Sequence, residues 1–317
     1  MPHSSTEREA DAETAVSRGQ AFLEFRDLLE RQGIDTKAKR RILLLRHRPY
    51  EPALARAMPM MIAEQPALFE TYQSIPGRPA ASMRRAELVA SFIGLQPGTA
   101  QFVGLYRIGA SRALDYKAFW AIPENQLLRN VGYEGFTRDK AAKVGTVQQF
   151  DLELLAFCQD WRGKLVIDYP GGGKSWFRWV DRGAFPVRAI LEESAFARRP
   201  PEWDDIDLTY GDLLLMPRSW QARLAEWRGI YLIFDERDGK SYVGSAYGQD
   251  NILGRWQAYA RNGHGGNREL RGRDPHSFRF TLLERLAPDL PAEEVIRREI
   301  SWKHRLHSRA PFGLNVN

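Results

Sequence analysis

Two short runs, residues 229–235 and 240–245, joined through Asp238-Gly239, leave this stretch of chain little choice but a β-hairpin. Side chains alternate along a strand, so a loop with an even number of residues pairs them across the hairpin by parity. Tyr231, Ile233 and Asp235 then share a face with Lys240, Tyr242 and Gly244, while Ile230, Leu232, Phe234 and Val243 point the other way into a core. An odd loop would scramble this assignment. Two tyrosines and a lysine gathered opposite an apolar face are patterning that a plain hairpin does not need.

The segments that follow read as helices. Residues 251–261, closed by Asn262-Gly263, place Ile252, Leu253, Trp256, Tyr259 and Ala260 on one arc, with Arg255 at its edge beside Tyr259. That arginine can snorkel to water or reach a phosphate held on the hairpin. Over residues 291–307 the arc is defined by Val295, Ile296, Ile300, Trp302 and Leu306, and Glu299 falls in its middle. A carboxylate aimed into an apolar face costs several kcal/mol unless it is paired or holds a metal. Lys303, one turn on, offers an ion pair, and metal ligation is the sharper reading. His304 and His307 have no partner motif and are expected on the helix surface.

Charge points to the same end of the chain. The net charge is +6, and residues 217–317 hold 17 Lys and Arg against 12 Asp and Glu, whereas the first 216 residues hold 29 against 28. The surplus is densest where Arg255, Arg261, Arg268, Arg271 and Arg273 face one acid, Glu269. A solvated surface mixes its signs, so Arg261, Arg268, Arg271 and Arg273 are expected to touch the phosphates of DNA. The single cysteine, Cys158, excludes an internal disulfide and a cysteine-based zinc site and fits a reducing cytoplasm. Residues 1–19 are small and polar, read as neither signal peptide nor anchor, and are expected to be a disordered leader; no later run is apolar enough for a membrane.

The order Gly229-Ile230-Tyr231, then Tyr242-Val243-Gly244, then Arg255 and Glu299 on successive helices, then Asn315, resembles the signature of the GIY-YIG nucleases. It covers about 90 of 317 residues. Tyr259 stands where many members carry histidine or tyrosine, and His264-Gly265-Gly266-Asn267 resembles the loop that follows. The run is most similar to the branch of phage homing endonucleases and standalone bacterial members, rather than to the excision-repair subunit. What the resemblance implies is a phosphodiester hydrolase in which Glu299 binds one divalent cation, Mg²⁺ or Mn²⁺, and Tyr231 is the general base. Lys240 and Arg255 would lower the Tyr231 pKa, and Arg255 would also neutralise charge on the phosphate. Tyr242 would orient the nucleophile or phosphate, with Tyr259, His264 and Asn267 in support. Gly244 belongs to the second motif, and Asn315 would fasten the end of the domain.

The rest of the chain is less legible. A helix over residues 20–33, a second over 37–47 with a basic first turn of Lys37, Lys39, Arg40 and Arg41, and a third over 52–74 broken near Pro59 and Pro66 suggest a helical unit spanning 20–98. Short runs at 101–108, 164–169, 174–180, 186–191 and 207–216 suggest a β-rich middle domain, 99–216, able to read DNA or a modified base. There, Trp176 and Trp179 fall on opposite faces of a strand, so one could stack on a base. Gly171-Gly172-Gly173-Lys174-Ser175 is a hairpin turn rather than a phosphate loop, because Asp168 stands where the first glycine is needed and a strand follows. A short helix from Pro217 to Arg228, with Trp220, Leu224 and Trp227 on one side, opens the last domain, 217–317. The expected fold class is α+β: a small antiparallel sheet flanked by helices, preceded by the helical and β-rich units. The expected function is a metal-dependent DNA endonuclease of restriction or phage-defence type, able to pair as a homodimer to cut both strands. A structure-specific repair or recombination nuclease and a non-catalytic nucleic-acid-binding regulator are the alternatives.

Overall fold

The computed structural model describes residues 23–39, 41–169 and 176–316; the expected leader, the start of the first helix, Arg40 and the Gly171–Ser175 turn lie outside them. The fold is α+β, in two compact units that each draw on several stretches of chain.

The first unit combines residues 1–48, 81–109 and 153–194. Its described elements are helix α1 (Phe25–Arg31) and strands β1 (Ile42–His47), β2 (Leu88–Ile93), the front of β3 (Thr99–Leu114), β5 (Leu165–Asp168), β6 (Phe177–Trp179) and β7 (Val187–Ile190). They pair in the order β6-β1-β2-β3-β5-β7, with β1 and β2 parallel. The expected helix over 37–47 is therefore wrong. Ile42-Leu43-Leu44-Leu45 is a strand buried on both faces, and such a run lacks the alternation that tells strand from helix. Its basic turn is partly spoken for, since Arg41 pairs with Glu87 at 2.8 Å. Phe25, Phe92 and Phe102 pack edge to face in the core, with Phe25–Phe92 ring centroids 5.2 Å apart.

The second unit combines residues 49–80, 110–152 and 195–317. Helices α2 (Pro52–Glu64) and α3 (Pro66–Ser74) break only at Pro66; Pro59 lies inside α2 without ending it. After α4 (Ala80–Met83), which spans the unit boundary, come α5 (Tyr116–Ala121), α6 (Pro123–Asn130) and α7 (Arg138–Val144), which the reading of a β-rich middle did not contain, and β4 (Val147–Leu154), which pairs with β3. Residues 207–216 split into β8 (Asp207–Thr209) and α8 (Tyr210–Leu214), and α9 (Arg218–Glu226) begins after Pro217.

Strands β9 (Arg228–Asp235), β10 (Lys240–Ala246) and β11 (Phe278–Leu286) join β8 in an antiparallel sheet ordered β10-β9-β11-β8, with α10 (Asn251–Asn262) and α11 (Ala292–Arg305) following β10 and β11. The sheet thus begins ten residues before the boundary expected at 217, and the expected divisions at 98/99 and 216/217 do not coincide with the limits of either unit. One face packs Tyr231, Ile233, Phe278 and Phe280 against Trp256 and Tyr259 of α10 and Trp220 and Leu224 of α9. The other packs Ile230, Val243 and Leu286 against Val295 of α11, with Leu232 and Trp302 at its margin. Among the described residues, no helix is long and apolar enough to cross a membrane.

Candidate functional site

The hairpin register matches the parity argument: Lys240 pairs with Asp235, Tyr242 with Ile233 and Gly244 with Tyr231. Two glycines hold it close. A Cβ on Gly244 would come within 2.5 Å of Tyr231 Cζ, so only glycine lets the ring lie across β10. A Cβ on Gly229 would strike the Glu284 carbonyl oxygen, where a bulge between Leu282 and Glu284 brings β11 close.

Tyr231 is fully buried, and its hydroxyl lies 3.1 Å from that of Tyr259. Arg255 donates to the same oxygen from Nε and Nη2, each at 3.4 Å, and its guanidinium sits over the Tyr259 ring. Burial pushes the Tyr231 phenol up to about 12, and Tyr242 adds to the rise; Arg255 and the Tyr259 hydrogen bond pull the other way and lose. Burial likewise raises Tyr259, and Arg255, beside Tyr231, is held firmly in its charged form. Tyr242 is only partly buried, its ring centroid 6.4 Å from that of Tyr231.

Lys240 does not belong to this group. It lies four residues along β10 from Gly244, and its ammonium donates to the Pro311 carbonyl at 3.2 Å. Arg255 is the cation that acts on Tyr231.

Glu299 lies on the opposite face of the sheet. Its Oε1 meets Lys303 Nζ at 2.7 Å and its Oε2 accepts from Ser245 Oγ. The helical wheel drawn from sequence has to be turned. Ile296, Ile300 and Leu306 are 43%, 46% and 39% exposed, and the buried side of α11 is Val295 and Lys303, with Glu299 and Trp302 half-buried. The carboxylate is inward, as read, but beside a buried lysine rather than amid isoleucines. His304 and His307 are exposed.

Glu299 and Ser245 are oxygen donors of the kind a hard, hydrated cation takes, with the Lys303 ammonium already beside the carboxylate. A carboxylate has about four acceptor sites, so two contacts leave capacity. Among the described residues no group of three or more His, Cys, Asp or Glu is assembled. Mg²⁺ accepts such a set when phosphate oxygens and water complete it; zinc does not.

The supporting residues divide. Gly265 packs under Tyr259, where a Cβ would come within 2.6 Å of the ring. His264 Nδ1 accepts from the Gly266 amide at 3.0 Å. Asn267 caps its own turn by accepting from the Glu269 amide at 2.8 Å. Arg261, Arg268 and Arg271 are exposed, with no ion pair among the described residues. Arg273 is not a free phosphate contact: it pairs with fully buried Asp235 at 2.6 Å and with Asp238 at 3.0 Å. Asp235 also accepts from Ser277 and Arg237. Burial alone would raise its carboxyl, but these donors hold it well below the usual carboxylate range.

Asn315 closes the free edge of β10. Its Oδ1 accepts from the Val243 amide at 2.9 Å and from Ser308 Oγ at 2.7 Å, and its Nδ2 donates to the Val243 carbonyl at 2.8 Å. Sequence reasoning missed Ser245, although the same parity that grouped the tyrosines places it with Val243 toward α11.

No family model and no curated protein matches the chain. Among solved structures, the catalytic domain of homing endonuclease I-TevI is similar at 26% identity with a TM-score of 0.23, over 28% of this chain and 98% of that one. A mutant of the catalytic domain of intron endonuclease I-TevI is similar at 24% identity with a TM-score of 0.25, over 29% of this chain and 94% of that one.

Proposed function

We propose that the protein is a DNA endonuclease whose site straddles the edge of β10. The observation that carries this is an adjacency. Gly244 lies beneath Tyr231, to which Arg255 is bonded, and the next residue, Ser245, holds Glu299. A cation and a carboxylate are thus supplied from opposite faces to neighbouring residues of one strand, as a phosphodiester lying over that edge requires.

In this reading Arg255 neutralises charge on the phosphate, Tyr242 orients it, and Tyr259 and His264 support it from the α10 side. Glu299 would hold Mg²⁺ or Mn²⁺, which when bound supplies Lewis-acid stabilisation of the leaving oxygen. Tyr231 accepts a proton from the attacking water only when it is itself ionised. With its pKa near 12, the rate should climb about tenfold per pH unit between neutrality and pH 10. A flat profile over that range would leave Tyr231 a hydrogen-bonding role only. Exposed Arg261, Arg268 and Arg271 supply further phosphate contacts.

Restriction or phage defence is the favoured setting, with target choice made outside the GIY-YIG-like segment and two chains pairing to cut both strands. Purified protein with Mg²⁺ on plain, methylated, phage-modified and branched DNA tests this. Cleavage of none, with Glu299→Ala indistinguishable from wild type, defeats the nuclease reading, and preference for branched substrates selects repair or recombination. One observation favours a non-catalytic regulator: Glu299 is already neutralised by Lys303. DNA binding without metal-dependent turnover would select it.

A further inference from the structure

In the sheet order β10 stands at an edge, so every second residue turns its backbone N–H and C=O away from β9. Three groups identify which residues these are. The Ser241 carbonyl accepts from Leu314 at 2.9 Å, and the Val243 N–H and C=O are both taken by the Asn315 amide. The next in the series is Ser245, about 6.8 Å further along. Asn315 does not reach it, and among the described residues no acceptor is seen for its N–H. The acceptor that satisfies Val243 is an oxygen at 2.9 Å, which shows the chemistry this edge takes.

We infer that the backbone N–H of Ser245 is a phosphate-oxygen donor, placed between the Arg255 and Glu299 halves of the site to hold a non-bridging oxygen of the scissile phosphodiester. This rests on the nuclease reading and assigns a group that the side chains alone do not reveal. Gly244 carries no side chain to stand in the way, and Ser245 Oγ is turned aside to Glu299. A fixed N–H of this kind contributes most as charge accumulates on the phosphate, so its loss should appear in kcat rather than in DNA affinity.

Ser245→Pro removes the N–H and the hydroxyl together, whereas Ser245→Ala removes the hydroxyl alone. Proline is tolerated on an edge strand where the N–H faces outward, so the hairpin should survive. Cleavage by Ser245→Pro should fall about 10²–10³-fold below Ser245→Ala, with KM for DNA changed less than about threefold. Equal rates for the two variants would overturn the assignment while leaving the nuclease reading intact. Wild type that cuts no DNA would remove the nuclease reading first. If Ser245→Pro does not fold, selectively ¹⁵N-serine-labelled wild type titrated with a short mixed-sequence duplex decides: a downfield shift of the Ser245 amide proton supports the assignment, and an unmoved resonance at saturation overturns it.

Discussion

The two faces of the C-terminal sheet are built from different materials. Toward α10, Tyr231, Trp256, Tyr259 and Phe280 interlock edge to face, and the carboxylate that enters, Asp235, is fully buried among three donors. Toward α11 the apolar patch is small and its margin is ionic: Glu284 takes Trp302 Nε1 at 2.8 Å and Arg298 at 2.7 Å, and Glu299 takes Lys303. The first face is made rigid by interlocked rings, and the second is held by ion pairs at the margin of a small apolar patch. The proposed site would draw its guanidinium, Arg255, from the first face and its carboxylate, Glu299 paired with Lys303, from the second.

Substitutions can break that contrast. Asp235→Ala removes a buried carboxylate from Arg273, Arg237 and Ser277 on the rigid face and should destabilise the protein by about 1–3 kcal/mol in urea unfolding. The Asp235 carboxyl is depressed in the fold, so its contribution is fully present above the ordinary carboxylate range and is lost progressively as pH falls from that range toward the depressed folded value. The gap between wild type and variant should therefore begin to narrow below about pH 4 and keep shrinking in stronger acid, measured as melting temperature against pH.

Arg255→Ala should lower cleavage about 10²–10³-fold with little loss of fold, because the guanidinium is only partly buried. Retained turnover would mean that the rigid face does not present a catalytic cation. Gly244→Ala drives a methyl into the Tyr231 ring and should cost about 1–3 kcal/mol of stability, with a changed near-ultraviolet tyrosine signal. Full stability would show that the ring can move, and the contrast with the other face would soften. Lys303→Met removes the cation beside Glu299, so Mn²⁺ followed by electron paramagnetic resonance without DNA should bind about tenfold more tightly, or about 1.4 kcal/mol. Unchanged affinity would mean that Lys303 already yields to the metal.

Where a residue's surroundings follow from local periodicity, the chain could be read directly. The two-residue alternation of β9 and β10 placed Tyr231, Tyr242 and Gly244 together because hairpin neighbours are also close in sequence. Glu299 was legible as an inward carboxylate, but its wheel was centred on Ile296 and Ile300, which the fold leaves exposed, since hydrophobicity does not say which side a neighbour will cover. Arg273 was read from charge density, whereas its partners lie 35 and 38 residues upstream on the hairpin. The strand β1 was lost because a run buried on both faces has no period to detect.

Asn315 has a consequence beyond the site. An edge strand with open N–H and C=O groups invites another chain to add to the sheet, and proteins commonly blunt such edges with charge, proline or a bulge. Here one side-chain amide occupies a donor and an acceptor of Val243 at once, imitating a strand a single residue long. It closes that stretch to strand addition and self-association while taking up almost no length of chain.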